Sequence, residues 1–407
     1  MSKRDDNRRF HSLDQLRAVM MLLGLVIHSA VSFTAKPIGA AWPYQDANTH
    51  VFFDHLVYFI HIFRMPLFFL MAGFFLGLLY DRRGLRAAVR NRTARLVVPF
   101  ALFLPLLFPL TTSGFDFSND GGIRGGFATA ATYFANPSVW FKGFDTIHLW
   151  FLYYLILFCL AFLSFVPIVQ RILGARLDPL AQSLGRLIHH PLGFVLCCAT
   201  TFVTLLPMSY AGLDTEVRFL VQPKILIAYG VFVGFGWVLY LNRDRVDAFA
   251  NRAWSFTITG LLLSGAYLYH KTALDPAYVL PAKLLASAAM WTLIYGFLGL
   301  FVKYYDRPHP VGRYLSDASY WLYVIHLPIT IWVPGLLNGW DVSAFVKSAI
   351  TLGVTAVVTT LTYHYLVRST AIGVLLNGKR YPRALPHFNA DGSLVQPATP
   401  VRRPQPE

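Results

Sequence analysis

Cysteine is scarce in this sequence: three residues in 407, Cys159, Cys197 and Cys198, all within apolar runs. Two are adjacent and the third is distant, a spacing that suits neither a disulfide framework nor a metal knuckle. Charge is also sparse, at 14%, and lopsided, with 35 Lys and Arg against 20 Asp and Glu. The basic residues are dispersed among apolar stretches rather than gathered into a patch, so their imbalance reads as a topology signal and not as a nucleic-acid surface. A phosphate loop is missing too. GGIRGG at 121–126 has no Lys-Ser/Thr after it and no strand around it. With no internal repeat and no attached soluble catalytic domain in view, any chemistry belongs to the apolar part of the chain or its rims.

What is abundant is apolar surface: 56% hydrophobic and 16% aromatic residues, with a mean hydropathy of +0.50. Ten apolar stretches are long enough to cross a bilayer, at 13–35, 51–79, 95–112, 148–170, 191–209, 224–241, 254–270, 278–302, 317–338 and 343–367. The expected fold class is therefore an all-α polytopic membrane protein of about ten transmembrane helices. With the N-terminus inside and span-edge residues counted with the loops, cytoplasmic segments carry 25 Lys/Arg, periplasmic segments 6, and the spans 4. The positive-inside rule then puts both termini in the cytoplasm. Three regions follow: a short cytoplasmic segment 1–12, a transmembrane domain 13–367, and a cytoplasmic tail 368–407 whose end, VQPATPVRRPQPE, reads as disordered. The first span is expected to be a permanent helix rather than a cleaved leader, because Asp14 and Arg17 interrupt its start and no clear small-x-small cleavage site follows.

Ionisable groups inside apolar spans are costly and mark sites or pathways. Arg17 and His28 stand eleven positions apart in the first span. At about 100° per residue that is roughly three turns, so both lie on one helix face about 16 Å apart. Asp14 can pair with Arg17 near the inner interface, where Arg17 could also serve as a snorkelling anchor. His28 lies deep enough to be a general base or a transient acyl acceptor, or else a buried imidazole satisfying a neighbour. In the second span, Asp54, His55, His61 and Arg64 precede Pro66. Arg64 needs a carboxylate or an anionic ligand, and Asp54 is about 15 Å away along the axis. A metal set of His50, Asp54, His55 and His61 is a weak reading, and no metal is expected. Arg92 and Arg95 sit one turn apart where the third span begins, a suitable clamp for phosphates. HLWFLYYL opens the fourth span, where Trp150, Tyr153 and Tyr154 fit an aromatic belt. Late in the chain, SDASYWLYVIHLPI puts Ser316 to Tyr320 at an inner boundary and His326 just before Pro328. His326 is either a packed core histidine or a site residue.

Taken in order, FHSLDQLRAVMMLLGLVIH, MPLFFLMAGFF, Arg92-x-x-Arg95-x-x-x-Pro99, HLWFL and SYWLYVIH resemble the membrane-bound acyltransferase 3 family. IHIFRMPLFFLMAGFF is similar to the glucans biosynthesis protein C branch of it, with Met71-Ala72-Gly73 where many relatives have Leu-Ser-Gly. The resemblance implies O-acyl transfer, in the bacterial inner membrane, from cytoplasmic acyl-CoA to a hydroxyl of a periplasmic glucan or other glycan. Acyl-CoA, succinyl favoured and acetyl the alternative, would be a substrate, and no tightly bound cofactor is implied. Arg17, Arg92 and Arg95 would hold the donor's phosphates, and Arg64 the free carboxylate of a succinyl group. His28 and His326 would be the catalytic pair, supported by Asp14, Trp150 and Tyr320. The expected partners are the donor, the glycan acceptor and the lipid bilayer, with no nucleic acid. Two rival functions share these residues: a proton-coupled transporter or flippase of a polysaccharide precursor, in which embedded His and Arg would form a relay, and a non-catalytic partner in polysaccharide assembly.

Overall fold

The computed structural model describes residues 10–272 and 278–385, and among them the secondary structure is helical, without strands. Thirteen α-helices follow in order: α1 (His11–Val31), α2 (Val51–Arg92), α3 (Val98–Asn119), α4 (Gly126–Ala135), α5 (Trp150–Leu173), α6 (Leu177–Ile188), α7 (Pro191–Leu205), α8 (Pro223–Leu241), α9 (Ala253–Thr272), α10 (Val279–Tyr305), α11 (Pro310–Leu336), α12 (Ala344–Thr362) and α13 (Ala371–Asn377). Each of the ten apolar stretches falls on one of these helices. Among the described residues, six helical stretches are long and apolar enough to cross a membrane: His11–Val31, Val51–Asn119, Ile147–Ile188, Pro223–Leu241, Val279–Tyr305 and Ala344–Val367. The smaller number has physical causes. α2 and α3 run together through one helical stretch, α7 has only 15 residues, and α9 and α11 carry more polar side chains, Arg313, Asp317 and His326 among them.

α1 holds the bundle together, packing against α2, α10, α11 and α12. Its 21 residues rise about 31 Å, close to the thickness of a bilayer's hydrocarbon core. α2 does not stop where the apolar stretch ends at 79 but continues to Arg92, through a break at Gly84 (φ 72°) that redirects the chain. A side chain at that φ would be strained, which is why the break falls on glycine. α2 and α8 approach so closely that small residues are obligatory on both sides: a Cβ added at Gly73 would collide with the Val233 carbonyl, and one at Gly236 with the Leu70 carbonyl. GVFVGFG at 230–236 thus serves packing.

α12 shows how a charge is kept inside such a bundle. Lys347, 1% exposed, forms an ion pair with Asp46 (2.9 Å) and donates to Asn48 Oδ1 (2.9 Å), both in the segment between α1 and α2. The same face then continues as Thr351, Thr355 and Thr359, each donating its hydroxyl to the carbonyl four residues earlier, at 2.7–2.8 Å. Of the tail expected from 368, part contacts the bundle: Arg368 is 1% exposed, Asn377 donates to the Asp317 carbonyl (3.0 Å), and Tyr381 accepts from Arg313 (2.8 Å). The N-terminal residues before Phe10 and the polar end of the tail lie outside the described residues.

Two stability outcomes follow. Gly236→Val overpacks the α2–α8 contact and is expected to cost about 1–3 kcal/mol, read as a lower thermal midpoint of the detergent-solubilised protein. Lys347→Met leaves Asp46 buried and uncompensated and is expected to cost about 3–5 kcal/mol. The double change Lys347→Met with Asp46→Asn should recover part of that loss in the same melt.

Candidate active site

Two cavities open at opposite ends of α1. The first, about 570 Å³, surrounds its opening turns and is lined by Arg17, Arg82, Arg83, Arg92, Arg95 and Arg313, with Asp14, Asp317 and Tyr320. The second, about 460 Å³, surrounds its last turns and is lined by His28, His61, Arg64 and His148, with Trp42, Trp150 and Phe115. Among the described residues, only Phe151 and Tyr323 line both. Their rings meet edge to face with centroids 5.9 Å apart, forming a partition between the two.

The arginine cavity is assembled at irregular backbone. Arg92 ends α2, and Arg95 lies in the π-helical turn Thr93–Val97 that leads into α3. Such wide turns displace side chains from the regular helical register and recur at functional sites. Arg95 donates to the Asn377 carbonyl (2.7 Å), and its own carbonyl accepts from the Tyr320 hydroxyl (2.8 Å). Arg92 donates to Asn91 Oδ1 (3.0 Å), while its Nε is buried without a hydrogen-bond partner. Arg17 lies over the Phe75 ring (5.2 Å) and 3.4 Å from Asp14 Oδ1. Arg313 pairs with Asp317 (2.9 Å) and donates to the Tyr381 hydroxyl (2.8 Å). This concentration of guanidinium donors suits a polyanion.

The second cavity is built on a proline. Pro328 has no N–H, so the Val324 carbonyl four residues earlier loses its helical partner. His148 takes that place: its Nε2 lies 2.9 Å from the Val324 carbonyl and 3.1 Å from that of Tyr323. The Tyr323 hydroxyl donates back to the His148 carbonyl (2.9 Å). His148 sits in the short turn Ile147–Leu149, where Ile147 has φ 44°, an unfavourable conformation for a β-branched residue. Neighbours hold the turn: Asp145 Oδ1 accepts from the Ile147 N–H (2.7 Å), and the Val217 carbonyl accepts from Thr146. Burial pushes the Asp145 carboxyl above its ordinary range, against the pull of the Ile147 N–H.

His326 Nδ1 lies 2.6 Å from the Tyr323 carbonyl. Its ring centroid is 5.1 Å from that of His28 and 5.0 Å from that of His148. Trp42 stacks on the other side of His28 at 5.5 Å, fixed by its Nε1–H donating to Ser32 Oγ (3.0 Å). Arg64 Nε donates to the Met20 carbonyl (2.9 Å). Its guanidinium lies where α1 carries Gly24, since a Cβ there would come within 2.6 Å of Nη2. Among the described residues no carboxylate pairs with Arg64. Asp54 is engaged elsewhere, accepting from the Ala35 and Lys36 amides at 2.7 and 3.0 Å.

The residues singled out from the sequence thus divide into two groups. Arg17, Arg92, Arg95, Asp14 and Tyr320 share the arginine cavity. His28, Arg64 and Trp150 share the imidazole cavity, which separates Arg64 from the arginines it was grouped with. His326 joins His28 but lies behind it, 1% exposed and outside the cavity lining. His50, Asp54, His55 and His61 do not converge. His50 caps α2 by accepting from the Phe52 amide, and His61 contacts the Leu213 carbonyl. Among the described residues no group of three or more His, Cys, Asp or Glu is arranged to hold a metal ion. Sequence reasoning missed Trp42, Tyr323 and the role of His148. The signal for His148 was Pro328, whose missing N–H orphans the Val324 carbonyl and calls for a donor from elsewhere.

The acyltransferase domain model of the acyltransferase 3 family matches residues 10–364. Proteins named glucans biosynthesis protein C from Salmonella paratyphi A, Salmonella agona and Salmonella dublin are each 24% identical over 341 residues, covering 79% of this chain and 83% of theirs. No solved structure matches the chain significantly. The family match spans α1 to the far end of α12, taking in the imidazole cavity and all of the arginine cavity's lining except Leu376, Asn377 and Tyr381, so the chain belongs to the acyltransferase 3 family of membrane acyltransferases.

Proposed function

We propose that this protein is an O-acyltransferase of the bacterial inner membrane. It moves an acyl group, succinyl in preference to acetyl, from cytoplasmic acyl-CoA to a hydroxyl of a periplasmic glucan or related glycan. The observation that carries this reading is the pair of cavities, one rich in arginine and one in imidazole, meeting at Phe151 and Tyr323. The orientation follows the distribution of Lys and Arg: ten crossings, both termini inside, and the arginine cavity facing the cytoplasm.

In this arrangement the donor's phosphates stay with Arg92, Arg95 and Arg17, because carrying them through the apolar bundle would be prohibitive. The uncharged arm of the donor passes the Tyr323–Phe151 partition and delivers its thioester to His28. The Nδ1 of His28 is buried without a partner, which leaves Nε2 as the nitrogen reachable from the cavity. That nitrogen either deprotonates the acceptor hydroxyl or carries the acyl group between donor and acceptor. Arg64 lines the same cavity, and no carboxylate among the described residues pairs with it. It is suited to the free carboxylate at the distal end of a succinyl group. The name shared by the Salmonella relatives supports a glucan as the acceptor class.

Two outcomes test the reading. His28→Ala should lower transfer from acyl-CoA to a glucose oligosaccharide by at least about 10²-fold, followed as CoA release and as mass gain of the acceptor. Wild-type protein that releases no CoA yet carries a substrate-dependent proton flux would identify a transporter instead. Arg64→Met should depress succinyl transfer about tenfold more than acetyl transfer, the size of one lost charge-assisted hydrogen bond. Equal losses with both donors would assign Arg64 to structure.

A further inference from the structure

We propose that α3 carries the acceptor subsite, a stripe of Thr111, Phe115, Asp116 and Asn119 that holds the sugar ring whose hydroxyl meets His28. The proposal rests on the function proposed above and names the residues that select its acceptor. α3 lines the imidazole cavity through Thr111, Thr112, Phe115, Asp116 and Asn119. At about 100° per residue these five fall within an arc of about 140°, and they rise about 12 Å from the buried end to the mouth. The other side of the helix is taken by α11. A Cβ at Gly114 would collide with Trp332, Phe117 stacks on Trp332 with centroids 4.7 Å apart, and Ser118 donates to the Ile331 carbonyl (3.1 Å). Packing on α11 thus turns the Thr111–Asn119 arc toward the cavity.

Thr111 is the residue that points to a ligand. It is 3% exposed and lines the cavity, and its Oγ1 is buried without a hydrogen-bond partner among the described residues. Thr351, Thr355 and Thr359 of α12 show the alternative, each satisfying its hydroxyl on the carbonyl four residues earlier. Thr111 does not, and a buried unpaired hydroxyl is costly unless the contents of the cavity supply its partner. Further out, Asp116 is half-buried and Asn119 exposed. Among the described residues no cation pairs with Asp116. A hydroxyl, a carboxylate and an amide around one aromatic ring suit a pyranose. The polar groups take its hydroxyls, and the apolar face of Phe115 takes its C–H face.

Trp42 sets the position of the stripe relative to the chemistry. Its ring stacks on His28 (5.5 Å, interplanar angle 23°) and meets Phe115 edge to face (5.3 Å, 89°). Ser32 Oγ holds the indole by accepting from its Nε1–H. One fixed indole therefore stands between the imidazole and the ring on which the sugar rests. A hydroxyl reaching inward alongside Trp42 meets His28, while the rest of the glycan leaves past Asn119 at the mouth. The stripe binds the acceptor and takes no part in making or breaking bonds.

The test uses the full-length protein, in a detergent without a sugar headgroup, with succinyl-CoA or acetyl-CoA and a glucose oligosaccharide. Asp116→Asn should raise KM for the oligosaccharide at least about tenfold, the size of one lost charge-assisted hydrogen bond, with KM for acyl-CoA within about twofold of wild type. Thr111→Val removes the hydroxyl and keeps the branched shape. It should raise KM for the oligosaccharide about fivefold, while the thermal midpoint holds or rises because no protein partner is lost. Calorimetric titration with the oligosaccharide alone, without donor, should show the same weakening in both variants. Wild-type affinity for the oligosaccharide in both variants overturns the subsite, as does a loss that falls on KM for acyl-CoA instead. A wild-type protein that binds the oligosaccharide through Asp116 and Thr111 yet releases no CoA with either donor would uphold the subsite and overturn the acyltransferase reading.

Discussion

Because Pro328 has no amide hydrogen, the Val324 carbonyl in the middle of α11 must find its donor outside the helix, and it finds His148. Much of the imidazole cavity depends on that substitution of partners. It ties the segment before α5 to α11 and brings the Tyr323 hydroxyl onto the His148 carbonyl. It also fixes the tautomer of one ring in a cluster of three. The neighbouring carbonyl of Tyr323 fixes a second, His326. Two consecutive peptide units thereby set the chemistry of a site whose side chains come from three distant parts of the chain.

A bilayer interior makes such economy necessary. Every polar atom there needs a partner within the protein, and this chain meets the demand locally where it can. The threonines of α12 use their own helix's carbonyls, Lys347 draws in Asp46 and Asn48, and Arg64 uses the Met20 carbonyl. Against that background the exceptions stand out. Among the described residues, the buried nitrogens left over belong to His28, His148 and His326, to Arg92 Nε in the other cavity, and to His270 in α9, away from both. All but that of His270 fall where a donor and an acceptor substrate would meet or where the donor's charge would be held.

Much of the fold could be read from the sequence because apolar length is a one-dimensional property. All ten apolar stretches fall on helices, and Arg17 and His28 both lie on α1, where they line different cavities. Arg92 and Arg95 were legible as a local pair, although the π-helical turn that carries Arg95 was not. What the sequence concealed was pairing across large separations. Lys347 and Asp46 are 301 positions apart, and His148 and Val324 are 176 apart. Arg64 could be recognised as needing an anion, but its distance from the other arginines depends on how α2 crosses α1 at Gly24. His326 could be recognised as buried, but its place behind His28 depends on how α1 packs on α11.

The central claim is that one donor molecule occupies both cavities at once, with its phosphates among the arginines and its acyl end beside His28. A structure of the full-length protein bound to a non-hydrolysable succinyl-CoA analogue tests this most directly. The account expects continuous ligand density from Arg92 and Arg95, past a displaced Tyr323 or Phe151 ring, to the His28 imidazole, with the terminal carboxylate at Arg64. Density confined to the arginine cavity with the partition closed, or an analogue bound only on the imidazole side, would contradict it.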